Sequence, residues 1–328
     1  MTEHHGILKC TGVLPDPPVR LKRKISTTGF PIHSKGLNRQ VYWPDKKGDS
    51  MTYARIISLT SLAMIAFAGN SLLCRQALKH TAIDPASFTA IRLISGAFVL
   101  WLLVRVKQSA PEGKGNWLSS FALFAYAAGF SYAYISLSAG SGALLLFGAV
   151  QATMIGHGLW QGERLQALQS LGVLLALGGL VGLLLPGLSA PPLLGASLMI
   201  GAGVAWGIYS LRGKGAGDPT RVTAGNFMRA VPITIVLSLL MLNYASVDAA
   251  GFYYAVASGA LASGLGYAIW YTVLPALKNT SAATVQLSVP VIAALGGVVF
   301  LGEPITLRLV LASVAILGGI ALVIVQKR

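Results

Sequence analysis

The residues of this chain that could do chemistry are polar side chains embedded in long apolar segments. Asn70, Gln151 and Gln286 each stand in such a segment, and so do Arg92 and Arg229. A polar group in lipid is costly unless it faces a partner or a water-filled space. These side chains therefore mark either contacts between helices or the lining of a binding cavity. An amide donates and accepts hydrogen bonds at once, which suits a neutral or zwitterionic ligand.

The choice between a contact between helices and a place in a cavity differs for the amides and the arginines. For Gln151 and Gln286 the two interpretations are equally good, and with Asn70 we name both as candidate ligand-binding residues. For Arg92 and Arg229 a structural contact between helices is favoured over a place in a cavity, because a guanidinium can bind backbone carbonyls or extend to the membrane interface. A cavity residue should affect ligand affinity when mutated, whereas a helix contact should affect stability.

Aromatic residues form a second set of candidates. Tyr134 and Tyr271 end the third and eighth apolar segments, while Trp206 and Tyr209 lie in the sixth. A belt of aromatic residues at the membrane interface explains the two tyrosines without any ligand. The alternative is that Tyr134 and Tyr271 line the two mouths of a cavity, with Trp206 and Tyr209 as walls for stacking or hydrogen bonding.

Nothing in the residue pattern suggests catalysis, a metal ion or a cofactor. The chain has no Gly-rich phosphate loop, no His-Glu-x-x-His pair and no pair of cysteines with metal spacing. We therefore expect no enzymatic activity. His157 is a candidate for proton coupling, since histidine changes charge near neutral pH. Pro290 lacks a backbone donor and should bend the ninth segment, where it is a structural or cavity residue.

No Asp or Glu lies deep in an apolar segment. From Met51 onward the acidic residues all stand in loops or at segment ends. Proton-coupled export of cationic drugs usually requires a buried carboxylate that exchanges a proton for the drug. The sequence thus disfavours cationic ligands and favours a neutral, zwitterionic or weakly anionic metabolite, with amino acids as the leading class.

The elements that must position these residues are ten apolar segments. Hydrophobic residues make up 54% of the chain and charged residues only 11%, a ratio that no soluble core requires. Each segment has about 20 to 24 residues, enough to cross a hydrocarbon core of roughly 30 Å as a helix. We place the segments at residues 54–76, 85–106, 116–137, 140–160, 165–186, 192–212, 219–242, 250–273, 280–301 and 305–326.

The second half of the membrane region repeats the first. Asp84-Pro85 recurs as Asp218-Pro219, Tyr134 recurs as Tyr271, and Gly162-Glu163 recurs as Gly302-Glu303. The spacing between the two copies increases slightly from the first of these pairs to the last. Such an increase is expected when loops differ in length while helices stay equal. Since each half holds five segments, an odd number, the second half should run inverted in the membrane.

The chain divides into a tail and two repeats. Residues 1–50 carry nine basic and four acidic residues, five prolines and no long apolar run, so we expect disorder there, and Met51 is an alternative start. Residues 51–190 and 191–328 hold the two repeats. A cytoplasmic N-terminus puts eleven Lys and Arg on the inner side and three on the outer side. This bias predicts a plasma-membrane protein, of a bacterial inner membrane, with both termini cytoplasmic.

The paired Gly-Glu turns, the paired Asp-Pro openings and Ala205-Trp206 together resemble the drug/metabolite transporter superfamily, in particular the EamA-type permeases. The resemblance covers about residues 54–326. It implies an all-α integral membrane fold of ten transmembrane helices in two inverted five-helix repeats. It also implies a substrate cavity near the midplane and transport of a small metabolite, without specifying which one.

We therefore expect a secondary transporter of a small polar metabolite, amino acids favoured, that works by alternating access. Its expected partners are the substrate, the lipid bilayer and, as a candidate, a second copy of the chain. Nucleic acid is not expected despite the net charge of +15, because the basic residues of the membrane region lie mostly at segment ends. An alternative from another class is a non-transporting membrane scaffold or receptor with a vestigial cavity.

Overall fold

The computed structural model describes residues 52–106, 113–162, 164–187, 190–213, 217–277 and 285–325. In these ranges the chain forms ten long helices, the short 3₁₀ helices Leu242–Tyr244 and Leu274–Ala276, and no strands. The predicted all-α fold is confirmed, whereas the tail of residues 1–50 lies outside the described residues. Seven of the helices are long and apolar enough to span a membrane by length and composition.

Five helices belong to each half of the chain. The first half contains α1 Tyr53–His80, α2 Pro85–Val106, α3 Trp117–Tyr134, α4 Ala139–Trp160 and α5 Ala167–Leu184. The second half contains α6 Leu193–Gly213, α7 Pro219–Leu240, α8, α9 Ser288–Leu301 and α10 Leu307–Val325. Helix α8 is continuous but changes type, from α-helix Ala249–Val256 through π-helix Ala257–Leu265 to α-helix Gly266–Val273.

The two halves pack through equivalent helices. Helix α1 lies against α8 and α9 of the second half, and its counterpart α6 lies against α3 and α4 of the first. Helix α2 pairs with α7, and α5 pairs with α10. A pseudo-two-fold axis between inverted repeats generates this pattern of contacts, so the first helix of each repeat is embedded in the other repeat.

The repeated sequence motifs begin and end helices. Asp218 and Asp84 precede Pro219 and Pro85, and their carboxylates accept backbone hydrogen bonds in the first turns of α7 and α2. An acidic cap followed by proline is a favourable way to begin a helix. The glycines of the two Gly-Glu motifs have positive φ, 90° at Gly162 and 62° at Gly302, where α4 and α9 end. Glycine adopts this conformation without strain.

Helix α9 is shorter than the predicted segment 280–301. Val285 and Gln286 are helical, Leu287 forms a turn, and the regular helix begins at Ser288. Pro290 is buried in the first turn of this helix. Because Pro290 has no N–H, the helical hydrogen bond to the carbonyl of Gln286 cannot form, which accounts for the interruption at Leu287.

Candidate functional site

Five polar side chains from four helices form a hydrogen-bonded group at the interface of the repeats. We call Asn70, Arg92, Tyr126, Ser258 and Ser263 the central cluster. Ser258 Oγ donates to Asn70 Oδ1 at 2.6 Å, and Asn70 Nδ2 donates to Tyr126 Oη at 3.3 Å. Arg92 Nη2 donates to Tyr126 Oη at 2.9 Å, and Arg92 Nε donates to Ser263 Oγ at 3.4 Å. The cluster thus links α1, α2 and α3 of the first repeat to α8 of the second.

The π-helical stretch of α8 places both serines in this cluster. Two residues five positions apart point in directions about 140° apart in an α-helix. In a π-helix the turn closes on the fifth residue, so Ser258 and Ser263 lie on one side. Gly259 lets α2 approach closely, since a Cβ atom there would lie 2.8 Å from the carbonyl carbon of Arg92.

An aromatic wall borders the central cluster on the side of α6. We define it as Trp206, Tyr209 and Tyr267. The Trp206 ring stacks against those of Tyr209 and Tyr267, with 5.2 Å between centroids in both pairs, and it lies 4.7 Å from the ring of Tyr126. Tyr271 extends the wall, with its ring 6.5 Å from that of Tyr267. Trp206, Tyr209 and Asn70, all named from the sequence, are therefore brought together.

Tyr134 belongs to a different group at one end of the bundle. Arg75 Nε donates to Glu303 Oε1 at 3.0 Å, and Arg75 Nη1 donates to the carbonyls of Tyr134 and Ile135 at 2.8 and 2.9 Å. Glu303 Oε2 accepts the N–H of Ala139 at 2.8 Å. Both charged side chains are buried. This ion pair joins α1, the turn between α3 and α4, and the loop between α9 and α10.

Neither glutamine hydrogen-bonds a member of the central cluster in the described part of the chain. Gln151 is buried in α4, and Gln286 is half-buried beside the interruption before α9. Both stay predictions as ligand-binding residues. Helix α4 packs closely against α6 near Gln151, since a Cβ atom on Gly207 would lie 2.8 Å from that of Thr153.

His157 and Arg229 also lie outside the central cluster. His157 is half-buried in the last turn of α4, with its ring 6.4 Å from that of Trp160. Arg229 donates to the carbonyls of Gly225 and Lys114 and so holds the loop before α3 against α7. These contacts of Arg229 are of the kind that a structural role uses, and that role, like proton coupling through His157, stays a prediction.

Asp84 connects two loops at the same end of the bundle as Glu303. Besides capping α2, its carboxylate accepts the N–H of Ser246 at 3.0 Å, which links the α1–α2 loop to the α7–α8 loop. Partial burial raises the pKa of Asp84, but hydrogen bonds from Ser87, Ser246 and Ala86 outweigh this effect. The net pKa of Asp84 therefore lies below that of an ordinary aspartate.

Three members of the central cluster were not evident from the sequence. Serine is common in apolar helices, so Ser258 and Ser263 gave no signal by themselves. The sequence does contain one indication for Tyr126. The spacing from Tyr126 to Ser263 equals that from Tyr134 to Tyr271, so Tyr126 and Ser263 occupy equivalent positions in the two repeats. The structure shows that these two equivalent positions both contact Arg92.

Comparison with known proteins agrees with the architecture. The sequence profile of the EamA-like transporter family matches residues 54–185 and again residues 193–325. "Uncharacterized protein PA1977" of Pseudomonas aeruginosa is 58% identical over 274 residues, which cover 83% of this chain and 96% of that protein. The threonine/homoserine exporter RhtA of Salmonella typhimurium is 34% identical over 133 residues, 39% of this chain and 44% of RhtA.

More distant similarities extend over most of the membrane region. The "Uncharacterized transporter YoaV" of Bacillus subtilis is 23% identical over 256 residues, which cover 73% of this chain and 86% of that protein. A protein of known crystal structure, 18% identical, has a TM-score of 0.61 and covers 84% of this chain and 99% of its own, which shows the fold. With two repeats that match one profile, the chain is a multi-pass membrane protein that belongs to the EamA-like transporter family.

Proposed function

We propose that this protein is a secondary transporter that exports a small polar metabolite, with amino acids as the favoured class. The observation that supports this most is the central cluster, because its hydrogen bonds join α1, α2 and α3 of one repeat to α8 of the other. Any movement of one repeat against the other must rearrange these bonds. A ligand bound there would be coupled to alternating access. The similarity to RhtA over part of the chain favours export of an amino acid.

The difference between the two ends of the bundle supports a state of the transporter that is closed on one side. At the Glu303 end, a buried ion pair joins three parts of the chain. At the opposite end, Arg212 is exposed and, among the described residues, donates to Ser119 and Asn116 at the start of α3. We propose that the Glu303 end faces outward and that both termini are cytoplasmic, from the distribution of basic residues.

Cysteine labelling tests this orientation. In a chain without Cys10 and Cys74, a cysteine at exposed Ser246 should react with a membrane-impermeant maleimide in intact cells. A cysteine at exposed Arg164 should react only after permeabilisation. Labelling of the Arg164 position in intact cells would refute the orientation while leaving the transport proposal standing.

Counterflow in proteoliposomes tests transport itself. Vesicles loaded with unlabelled threonine or homoserine should accumulate the radiolabelled compound saturably, whereas protein-free vesicles should not. A panel of other small polar metabolites, added as competitors, ranks the substrate classes. Saturable flux for none of the probes would contradict the proposal and favour the non-transporting scaffold or receptor.

Matched tyrosine variants locate the site. Tyr126→Phe removes the hydroxyl shared by Asn70 and Arg92, so we expect a clear rise in KM. Tyr253→Phe makes the same change at an exposed tyrosine of α8 and should leave KM unchanged. Gln151→Ala and Gln286→Ala should raise KM if these residues line the path. If they join helices instead, they should lower stability by up to roughly 1–2 kcal/mol.

A further inference from the structure

Arg92 is the member of the central cluster with an unpaired donor. Its side chain is only 1% exposed, and Nη1 has no hydrogen-bond partner among the residues that the structure describes. Native proteins seldom leave a buried polar group unpaired, and a charged group is the costliest case. An unpaired guanidinium nitrogen at the interface of two repeats therefore indicates a partner that binds there and leaves again.

The positive charge of Arg92 also lacks an anionic partner within the described ranges. The acids described there are used elsewhere, since three of them cap helices and Glu303 pairs with Arg75. Arginine cannot lose its proton in a protein, so the charge is permanent. A permanent, uncompensated cation inside a membrane bundle marks a functional site.

The surroundings hold the guanidinium in a fixed plane. Its central carbon lies 5.2 Å from the ring centroid of Tyr126 and 4.9 Å from that of Phe130, so both rings stabilise the charge. Arginine presents its donors as a rigid fork that matches the two oxygens of a carboxylate. Nη2 donates to the Tyr126 hydroxyl, which also accepts a hydrogen bond from Asn70. One oxygen of a carboxylate could therefore accept the hydrogen bond of Nη2 in place of that hydroxyl, and the other could accept one from Nη1.

We propose that Arg92 binds the carboxylate of the transported metabolite, which limits the substrates to small carboxylates and places α-amino acids first. This inference rests on the proposed transport function. The ammonium group of an amino acid would have acceptors in Asn70 Oδ1 and Ser258 Oγ, and a ring face in Trp206. Both ends of a zwitterion thus find a partner within the cluster or the aromatic wall.

Substrate analogues test the proposal on the unmodified protein. Threoninol has a hydroxymethyl group in place of the carboxylate, and threoninamide has a neutral amide. In counterflow of radiolabelled threonine, both should compete at least about 10-fold less well than threonine, the loss expected for charge-assisted hydrogen bonds. If threoninol and threoninamide compete as well as threonine, the role of the carboxylate is overturned, while transport of threonine still stands. Failure of every probe to show saturable flux would instead overturn the proposed function, and this inference with it.

Variants of Arg92 give the second measurement. Arg92→Lys keeps the charge but loses the fork, and Arg92→Gln loses both, so we expect KM for threonine to rise about 10-fold and about 100-fold. Arg92→Gln should also lose the preference for threonine over threoninol. Arg308→Gln is the control. In the part of the chain that the structure describes, Arg308 donates to the carbonyls of Leu185 and Pro186 at the edge of the bundle, so its replacement should leave KM unchanged. A folded Arg92→Gln protein with unchanged KM and preference would overturn the assignment. If that variant does not fold, the analogue series decides.

Discussion

The two ends of the bundle carry an arginine at equivalent positions but use it differently. Arg75 in α1 and Arg212 in α6 are repeat equivalents, because their spacing is the same as that of Tyr134 and Tyr271. Arg75 is buried and pairs with Glu303, whereas Arg212 is exposed and forms hydrogen bonds of 3.2 and 3.3 Å at the start of α3. The duplicated sequence therefore does not place its two equivalent arginines in equivalent surroundings. An asymmetry between the two ends is what the proposed alternating access would require.

The middle of the bundle shows a second asymmetry, which arises because the two equivalent positions carry different residues. Asn226 is the repeat equivalent of Arg92, because the two are spaced like the two Asp-Pro motifs. Asn226 accepts the N–H of Asn116 at 2.9 Å and donates to Tyr209 Oη at 3.5 Å, so it joins α7 to its neighbours. At this pair of equivalent positions, the first repeat thus carries a charge and the second does not. The scaffold is symmetric in outline, while the candidate site is not.

The largest effect that we expect separates the two ends. Glu303→Gln leaves Arg75 buried without its anion, which should destabilise the protein by about 3–5 kcal/mol. Arg212→Gln removes an exposed group and should cost no more than about 1 kcal/mol. Thermal unfolding in detergent compares the two variants. The contrast between the ends fails if both lower the unfolding temperature equally.

A smaller effect tests the region where the repeats do remain alike. Gly179 in α5 and Gly319 in α10 are equivalent, and a Cβ atom on either would lie within 2.8 Å of the partner helix, near Ala315 in one case and near the Gly172 carbonyl in the other. We expect Gly179→Ala and Gly319→Ala to cost about 1–3 kcal/mol each through overpacking. Gly178 and Gly318, one residue earlier, have open space around them. Alanine there should stabilise the helix by up to about 1 kcal/mol.

Thermal unfolding of the four alanine variants measures both halves of this contrast. If alanine lowers the unfolding temperature at both Gly179 and Gly319 but at neither Gly178 nor Gly318, the packing between α5 and α10 is symmetric. A large loss at only one of Gly179 and Gly319 would show that the asymmetry of the ends extends into this pair of helices.

How far the sequence predicts this molecule depends on whether a feature is local. The ten helices follow from apolar length, and the Asp-Pro and Gly-Glu motifs fall at helix boundaries because capping is decided within a few residues. The π-helix was not predicted, since its run of Ala, Ser and Gly reads like ordinary close helix packing. Which polar residues meet depends on contacts between distant helices. Asn70 and Arg92 could be named from the sequence, but their partners Ser258 and Ser263 could not.

The smallest effect concerns Asp84, which caps α2 at the Glu303 end, and its repeat equivalent Asp218, which caps α7. Asp84→Ala loses the cap and the bond from Ser246, whereas Asp218→Ala loses the cap alone. We expect a cost of about 1–2 kcal/mol for Asp84→Ala and about 1 kcal/mol or less for Asp218→Ala at neutral pH. The difference measures what the link between the α1–α2 and α7–α8 loops contributes.

The contribution of Asp84 should also depend on pH, because its folded-state pKa is lowered. A lowered pKa means that the stabilisation is fully present above the pKa of an ordinary aspartate, about 3.9, and is lost as the pH falls through the folded value. The gap in unfolding temperature between the parent protein and Asp84→Ala should therefore stay constant from pH 7 to about pH 5. It should narrow below about pH 4. A gap that stays constant down to pH 3 would show that hydrogen bonds to the ionised Asp84 carboxylate contribute little to the stability of this end.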